Sequence, residues 1–170
     1  DDMQKELKVK DVVKAVEVCG ANGLEPEVSV LMGASPKETP RTLYNSWRAA
    51  RKLGTPFVHY SVALPSPSTE LYDMALQNGW FVHGDFVPAD NTKDVIINLP
   101  HLSANQLRLA LKLAYASQYL RTKAVLHHAK QVDSLTALRH KAQSALGLFR
   151  FLGEGNRLEH PPIPPGRVTP

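Results

Sequence analysis

The stretch from Val58 to Trp80 most constrains what this chain can fold into. The β-branched and apolar run 58–63 is followed by two prolines, Pro65 and Pro67. Apolar residues then recur at helical spacing up to Gly79, so the order predicts a strand, a proline-containing loop and a helix. In α/β folds such loops lie where a strand's carboxyl end meets a helix's amino end, which is where ligands bind. The stretch therefore predicts an α/β fold with a binding edge at this loop.

The same order of elements occurs once before in the chain. Valines at helical spacing from Val9 predict a helix to about Cys19 with one buried face, and an apolar run at 27–32 predicts a strand. Because this run lacks polar alternation after Ser29, we expect it to be covered on both faces. Thr39 and Pro40 predict the start of the next helix as cap and first residue. Repetition of this kind predicts parallel strands, at 27–32 and 55–63, joined by right-handed crossovers.

The remainder of the chain predicts helices and a tail. Residues 94–99 predict a short extended piece, and Ser103 with Gln106 forms a capping box before a helix reaching about residue 130. A second helix is expected at about 134–151, and the proline-rich residues 153–170 are expected to be disordered. The predicted organisation is therefore an α/β part at 1–100, a helical extension at 101–152 and a tail. In the first long helix a core stripe is expected, widened by three leucines: Leu107, Ala110, Leu111, Ala114 and Tyr115, with Leu109, Leu113 and Leu120.

Length and composition exclude several classes of protein. The 170 residues suffice for one domain with a real core, or for a piece of a larger protein. No apolar run approaches the roughly 20 residues that span a bilayer, and no secretory signal precedes the first helix. These features predict a cytoplasmic protein without a membrane partner. The sequence begins DDMQKELK without an initiator methionine, and we expect its beginning to be missing.

The residues that carry catalytic or metal chemistry give weak signals. Cys19 is the single cysteine, which excludes internal disulfides and any all-cysteine metal site within the chain. His127 and His128 point about 100° apart on a helix, which is unsuited to a shared ion, and His59 is interpreted as a structural histidine. The loop serines lack the G-x-S-x-G context of a strained nucleophile, so helix capping explains them more simply. No catalytic residue and no metal ligand are predicted.

The charge is unevenly distributed. The net charge is +4, and residues 101–150 contain eight Lys or Arg but one acid, Asp133. Leu and Ala at core spacing between these cations favour packed helices with a solvated basic face that includes Lys112. The segment lacks aromatic stacking platforms and any recognisable module, which argues against nucleic acid as a partner.

Three segments together resemble one family. They are VVKAVEVCGANGLEPEVSVLMGASPKETPRTLYNSWRAARKLG, YSVALPSPSTELYDMALQNGW and INLPHLSANQLRLALKLAYASQYLRTKAVLHHA. The first two look like the later barrel units of radical S-adenosylmethionine enzymes, with a G-x-P-G-E-T-like loop in the first and a P-x-P-G-T-x-L-Y loop in the second. The third is similar to the helices that follow the barrel in members carrying an upstream cobalamin-binding domain. The resemblance covers about residues 4–151.

The resemblance implies the carboxyl-terminal half of a partial, TIM-like (β/α) barrel with parallel strands, followed by an α-helical extension. It implies an enzyme that cleaves S-adenosylmethionine reductively at an iron-sulfur cluster, acts on a small-molecule substrate and is compatible with cobalamin. It also implies that the remainder of the barrel and a cobalamin-binding domain are partners. By the same resemblance, Leu31 lies against adenine, and the backbone from Ser61 to Leu64 at the end of the second strand recognises the adenine edge. The implied cofactor-binding residues are Leu31, Gly33, Ser61, Val62, Ala63 and Leu64.

The chain departs from the family pattern in three places. The first loop is one residue longer and has Pro36-Lys37 in place of Pro-Gly, and Ser68 replaces the glycine of P-G-T. The C-x-x-x-C-x-x-C loop that holds the cluster is absent, so this chain is expected to be inactive alone. Truncation explains that absence better than degeneration. Two alternative functions remain: a non-catalytic binding or scaffold module that kept the fold, and a basic helical segment that binds nucleic acid.

Overall fold

The computed structural model describes residues 7–55 and 57–119, together with 143, 146, 147 and 149–153. The described part is an α/β structure whose elements run in the order α1, β1, α2, β2, α3, α4. Their bounds are Val9–Ala21 for α1, Glu27–Met32 for β1, Pro40–Leu53 for α2, Phe57–Val62 for β2, Glu70–Gln77 for α3 and Ala104–Tyr119 for α4. The two strands and the first three helices lie where the sequence pattern predicts them.

The two strands pair in parallel, as predicted. Their register joins Glu27 to Phe57 and continues one residue at a time to Met32 and Val62. The Ala63 N–H donates to the Met32 carbonyl oxygen at 2.7 Å, which extends the pairing one step beyond β2. Both strands therefore end at the same edge, and the loops that follow them leave from that edge.

Local sequence sets the helix boundaries. The Thr39 hydroxyl accepts from the Thr42 N–H at 3.2 Å, and the Thr42 hydroxyl accepts from the Thr39 N–H at 2.8 Å, which closes a reciprocal capping box. At the other end of α2, Gly54 has a φ of 73°, the left-handed conformation that suits glycine after a helix. Ser103 and Gln106 form the predicted box at the start of α4, with the Ser103 N–H 2.8 Å from Gln106 Oε1. The sequence therefore predicts these helix ends correctly.

One face of the sheet packs against helices. The Tyr115 hydroxyl of α4 donates to the Tyr60 carbonyl of β2 at 2.5 Å, and their rings meet edge to face. Helix α2 reaches the same side, since Trp47 Nε1 donates to Ser117 Oγ of α4 at 2.7 Å. The core between these elements includes Met32, Leu43, Ala50, Val58, Tyr60, Val62, Leu107, Leu111 and Ala114.

Strand β1 and helix α1 differ from their predictions. Glu27, Ser29 and Leu31 of β1 are exposed, so the expectation that β1 is covered on both faces is wrong. Helix α1 contains no buried residue, so the expectation that one of its faces is buried is also wrong. The physical reason is position, because β1 is an edge of the sheet and pairs with β2 alone in the described part of the chain. Four valines of α1, Val9, Val12, Val13 and Val16, line a groove of about 720 Å³ beside β1, which we call the β1 groove.

Residues 80–102 pack on the core without joining the sheet. Phe81 and Ile97 form a single antiparallel bridge, and so do Leu99 and Leu102. The predicted extended piece at 94–99 is therefore present as a buried apolar segment, with Val95, Ile96 and Ile97 in the core.

Helix α4 fulfils its prediction only in part. Leu107, Leu111 and Ala114 are buried, but Leu109 and Leu113, expected to widen the buried stripe, are 57% and 59% exposed. Lys112, assigned above to the solvated basic face, is half-buried because its Nζ donates to the Leu152 carbonyl at 3.2 Å and lies over the Phe151 ring. The rest of this helix, including Leu120, and most of the helix expected at 134–151 lie outside the described residues, as do 154–170. Within the part of the chain that is described, no helix is long and apolar enough to cross a membrane.

Candidate functional site at the carboxyl edge of the sheet

The loop after β1 is organised by a carboxylate. Gly33 has a φ of 72° and turns the chain against the side chains of Leu107 and Val62. The Gly33 N–H donates to the Glu38 carboxylate, and the Ala34 N–H does so as well. Burial raises the pKa of Glu38, and the two backbone hydrogen bonds oppose that rise. Glu38 thus joins the end of the loop to its beginning and stabilises one conformation of the loop.

The loop after β2 carries a left-handed residue that is not glycine. Ser68 has a φ of 71°, within about a degree of the value at Gly33, and no other non-glycine residue in the described part has a positive φ. The resemblance places glycine at this position, and here the serine adopts the backbone conformation that a glycine favours. The Thr69 hydroxyl donates to the Ser66 carbonyl at 2.7 Å and accepts from the Tyr72 N–H at 3.3 Å, which starts α3. The substitution therefore leaves the left-handed turn in place.

A third loop packs over the end of β2, a position that the loop-like sequence after Gly79 did not reveal. The Val62 N–H donates to the Asn91 carbonyl at 2.8 Å. The loop is held by Asp90, whose carboxylate accepts from the Thr92 hydroxyl at 2.6 Å and pairs with Lys93 at 3.2 Å. The Thr92 hydroxyl, followed by its N–H and by Lys93, lowers the pKa of Asp90 against a smaller effect of burial. The Asp-Asn-Thr-Lys sequence signals a turn, but it does not reveal where that turn packs.

Arg108 of α4 is a second feature that the sequence did not reveal. Only 8% of this residue is exposed, and its Nη2 has no hydrogen-bond partner. Burial lowers the pKa of the guanidinium, and the nearby charge of Asp94, just after the third loop, opposes that effect. Sequence pattern counts Arg108 among the solvated cations, because burial by a loop distant in sequence leaves no local signal.

The predicted cofactor-binding residues are neighbours in the structure. Leu31 and Ser61 are register partners, with Leu31 38% exposed and Ser61 buried. Gly33 and Ala63 are buried and Leu64 is half-buried, all at the carboxyl edge. The N–H groups of Val62 and Ala63 are already used, by the Asn91 and Met32 carbonyls. Part of the predicted backbone edge is thus engaged within the chain.

Metal-binding groups are sparse in this region. Among the described residues, no three His, Cys, Asp or Glu side chains are grouped so that they could hold a metal ion. Cys19 is a half-buried free thiol on α1, and His59 is half-buried on β2. His127 and His128 lie outside the described residues.

Comparison with known proteins gives one informative match. No family model matches the chain. Over 122 residues the chain is 27% identical to an uncharacterized methyltransferase of Pyrococcus horikoshii, a match that covers 72% of this chain. The chain spans about a quarter of the length of that relative, since the match covers 26% of it.

Proposed function

We propose that this chain is the carboxyl-terminal part of a radical S-adenosylmethionine enzyme and forms the adenine-side wall of its S-adenosylmethionine site. The observation that carries the proposal is the pairing of Leu31 with Ser61 at the edge from which two glycine- or proline-containing loops leave. Ligands of α/β folds bind at this end of parallel strands. The relative named as a methyltransferase supports methyl transfer as a reaction class for the whole protein.

The arrangement of the layers supports a partial barrel. In a (β/α) barrel the helices cover one face of the strands and the other face points inward. Here α2 and α4 pack on the face that carries Tyr60, while Ser29 and Leu31 on the alternate face of β1 are exposed. The free edge of β1 would then receive the remainder of the barrel, and a cobalamin-binding domain would be a further partner.

The described residues fit adenine better than they fit a metal cluster. Leu31 offers an exposed apolar surface to a ring, and Ser61 lies next to it in the register. Since the N–H groups of Val62 and Ala63 are occupied, hydrogen bonds to adenine would fall to other groups of the Ser61–Leu64 edge. The described residues provide no set of ligands for an iron-sulfur cluster. The cluster ligands would therefore come from elsewhere in the whole protein, and this chain alone would be inactive.

The proposal assigns this chain a binding role. In the whole enzyme the cluster would supply the one electron that cleaves S-adenosylmethionine to methionine and a 5'-deoxyadenosyl radical. The residues of this chain would hold adenine against Leu31, fix the first loop through Glu38 and exclude water with the third loop. Cobalamin, if used, would be held by the upstream domain.

The test uses the full-length gene product that contains this chain. Under anaerobic reducing conditions we expect 5'-deoxyadenosine to form from S-adenosylmethionine. Leu31→Glu should raise the KM for S-adenosylmethionine at least tenfold, because it places a charge against adenine. Leu24→Glu is the matched control, since Leu24 is an exposed leucine outside the strands, and it should leave the KM unchanged.

Two results would overturn the proposal. A full-length protein that binds S-adenosylmethionine but forms no 5'-deoxyadenosine would favour the non-catalytic module. Equal effects of the two leucine substitutions would remove Leu31 from the site.

A further inference from the structure

Helix α2 carries an unusual distribution of charge. Its 14 residues, PRTLYNSWRAARKL, contain four cations and no acid. At 3.6 residues per turn, Arg41, Arg48 and Lys52 fall on one stripe within about 40° of each other, and all three are exposed. Tyr44 and Arg51 lie next to one edge of this stripe. We call these five residues the basic face of α2.

The placement of these cations serves the stability of the helix only at its end, where Lys52 lies in the last turn and the helix dipole favours a cation. Arg41 lies in the first turn, where the helix dipole favours an acid, and that turn contains none. Arg48 and Lys52 are like charges four residues apart, which repel each other. Arg41, Arg48 and Lys52 form no ion pair with another described residue. Although Glu17 of α1 lines the β1 groove with Arg48 and Lys52, it pairs with neither.

Aromatic groups stand beside the cations. Tyr44 is 55% exposed, and its ring centroid lies 5.4 Å from that of Trp47. The Arg51 guanidinium lies over the Trp47 ring at 4.9 Å from its centroid. A row of cations with an adjacent exposed ring is the arrangement that contacts phosphates while a base stacks. Three of the four cations are arginines, whose planar guanidinium suits phosphate oxygens.

We propose that the basic face of α2 binds single-stranded nucleic acid, with Arg41, Arg48 and Lys52 on successive phosphates and Tyr44 stacked on a base. The helices after residue 101 also carry cations, but they lack aromatic stacking platforms, which argues against nucleic-acid binding by those helices. Helix α2 carries both exposed cations and an exposed aromatic ring on one face. This surface does not include the carboxyl edge of the sheet, so the proposal stands independently of the S-adenosylmethionine site.

The test titrates the 170-residue chain into a fluorescein-labelled oligo(dT) of about 20 nucleotides, followed by anisotropy from about 50 to about 200 mM salt. The triple variant Arg41→Gln, Arg48→Gln, Lys52→Gln should lose at least tenfold in affinity at the lower salt. Its slope of log K against log salt should fall by about 2, because three phosphate contacts on a single strand are lost. Tyr44→Leu should weaken binding without changing that slope.

The matched control removes three exposed lysines of the α1 region, Lys8→Gln, Lys10→Gln and Lys14→Gln, for the same change in net charge. It should stay within about twofold of the wild type and keep its salt slope. Far-ultraviolet circular dichroism checks that both variants are folded. An equal loss in the control would overturn the proposal, since net charge alone would then explain binding. So would binding to phosphatidylserine vesicles without binding to the oligonucleotide.

Discussion

The two strand-loop-helix units of this protein share a sequence pattern but differ in burial. In the first unit, β1 alternates between exposed and half-buried residues until Met32, whereas in the second unit every residue of β2 is buried or half-buried. Both units start their helix with a threonine cap, Thr39 and Thr69, and both loops contain a residue with φ near 70°. Local structure is thus repeated while packing is not.

The difference arises from what lies beside each strand. Strand β2 pairs with β1, packs under α4 and is closed at its end by Asn91. Strand β1 has β2 on one edge and the β1 groove beside it. Apolar residues in a strand therefore indicate that the strand can be buried, but the elements packed beside it determine whether it is buried. On the proposed function, the open side of β1 is where the rest of a barrel would pack.

Helix α4 offers the largest test of this comparison. Leu111→Ala should destabilise the protein by about 2 to 5 kcal/mol, because Leu111 is fully buried in the core beneath α4. Leu109→Ala, on the exposed face of the same helix, should stay within about 0.5 kcal/mol. Urea unfolding with a fixed m-value measures both. Similar costs for the two leucines would mean that something covers the outer face of α4 in solution.

The strands themselves provide a pair matched in residue type and register. Val28 and Val58 are partners across the sheet, and Val58 is buried while Val28 is half-buried. Val58→Ala should cost about 1.5 to 3 kcal/mol and Val28→Ala less than about 1 kcal/mol, because Val28 loses less buried surface. If Val28→Ala proved as costly as Val58→Ala in the isolated chain, Val28 would have to be fully buried in solution. The contrast in burial between β1 and β2 would then be wrong.

Sequence alone predicted the parts of the fold that local chemistry determines. The cap at Thr39 and the capping box at Ser103 follow from residues close together in the chain, and the parallel pairing of 27–32 with 57–62 follows from the repeated order of elements. The exposure of Leu31 and the burial of Arg108 depend on segments far away in sequence, so periodicity could not reveal them. At the site, the pattern predicted the two strand loops but not the packing of the third loop, since nothing in residues 81–94 signals that Asn91 contacts β2.

Two serines of the second loop, Ser68 with a positive φ and Ser66 with an ordinary φ, allow a test with opposite signs. Ser68→Gly should stabilise the protein by about 0.5 to 1 kcal/mol, because glycine adopts the left-handed conformation without the serine's strain. Ser66→Gly, in the same loop at an ordinary φ, should destabilise it by about 0.4 to 1 kcal/mol through the greater freedom of the unfolded chain. Thermal unfolding measures the shifts. Destabilisation by Ser68→Gly would show that the serine side chain contributes more than its backbone costs.

The smallest effects concern two loop carboxylates whose pKa values move in opposite directions. The pKa of Asp90 is lowered chiefly by the Thr92 hydroxyl, so its contribution to stability is present above its ordinary value and is lost as the pH falls through the lowered pKa. The pKa of Glu38 is raised chiefly by burial, so the folded protein holds that proton more tightly. Its contribution is therefore complete at low pH and is lost as the pH rises through the raised pKa.

Urea midpoints from about pH 3 to about pH 7 separate the two carboxylates. Asp90→Asn should be less stable than wild type near neutrality, and the gap should close in acid. Glu38→Gln, which keeps one acceptor oxygen for the loop N–H groups, should gain on wild type as the pH rises, because wild type then bears a desolvated charge. The opposite pKa shifts of the two carboxylates are confirmed if the stability differences of Asp90→Asn and Glu38→Gln change in opposite directions with pH. If both stability differences changed in the same direction with pH, Glu38 would be better hydrated than its place behind Gly33 implies. The first loop would then be as exposed to solvent as β1.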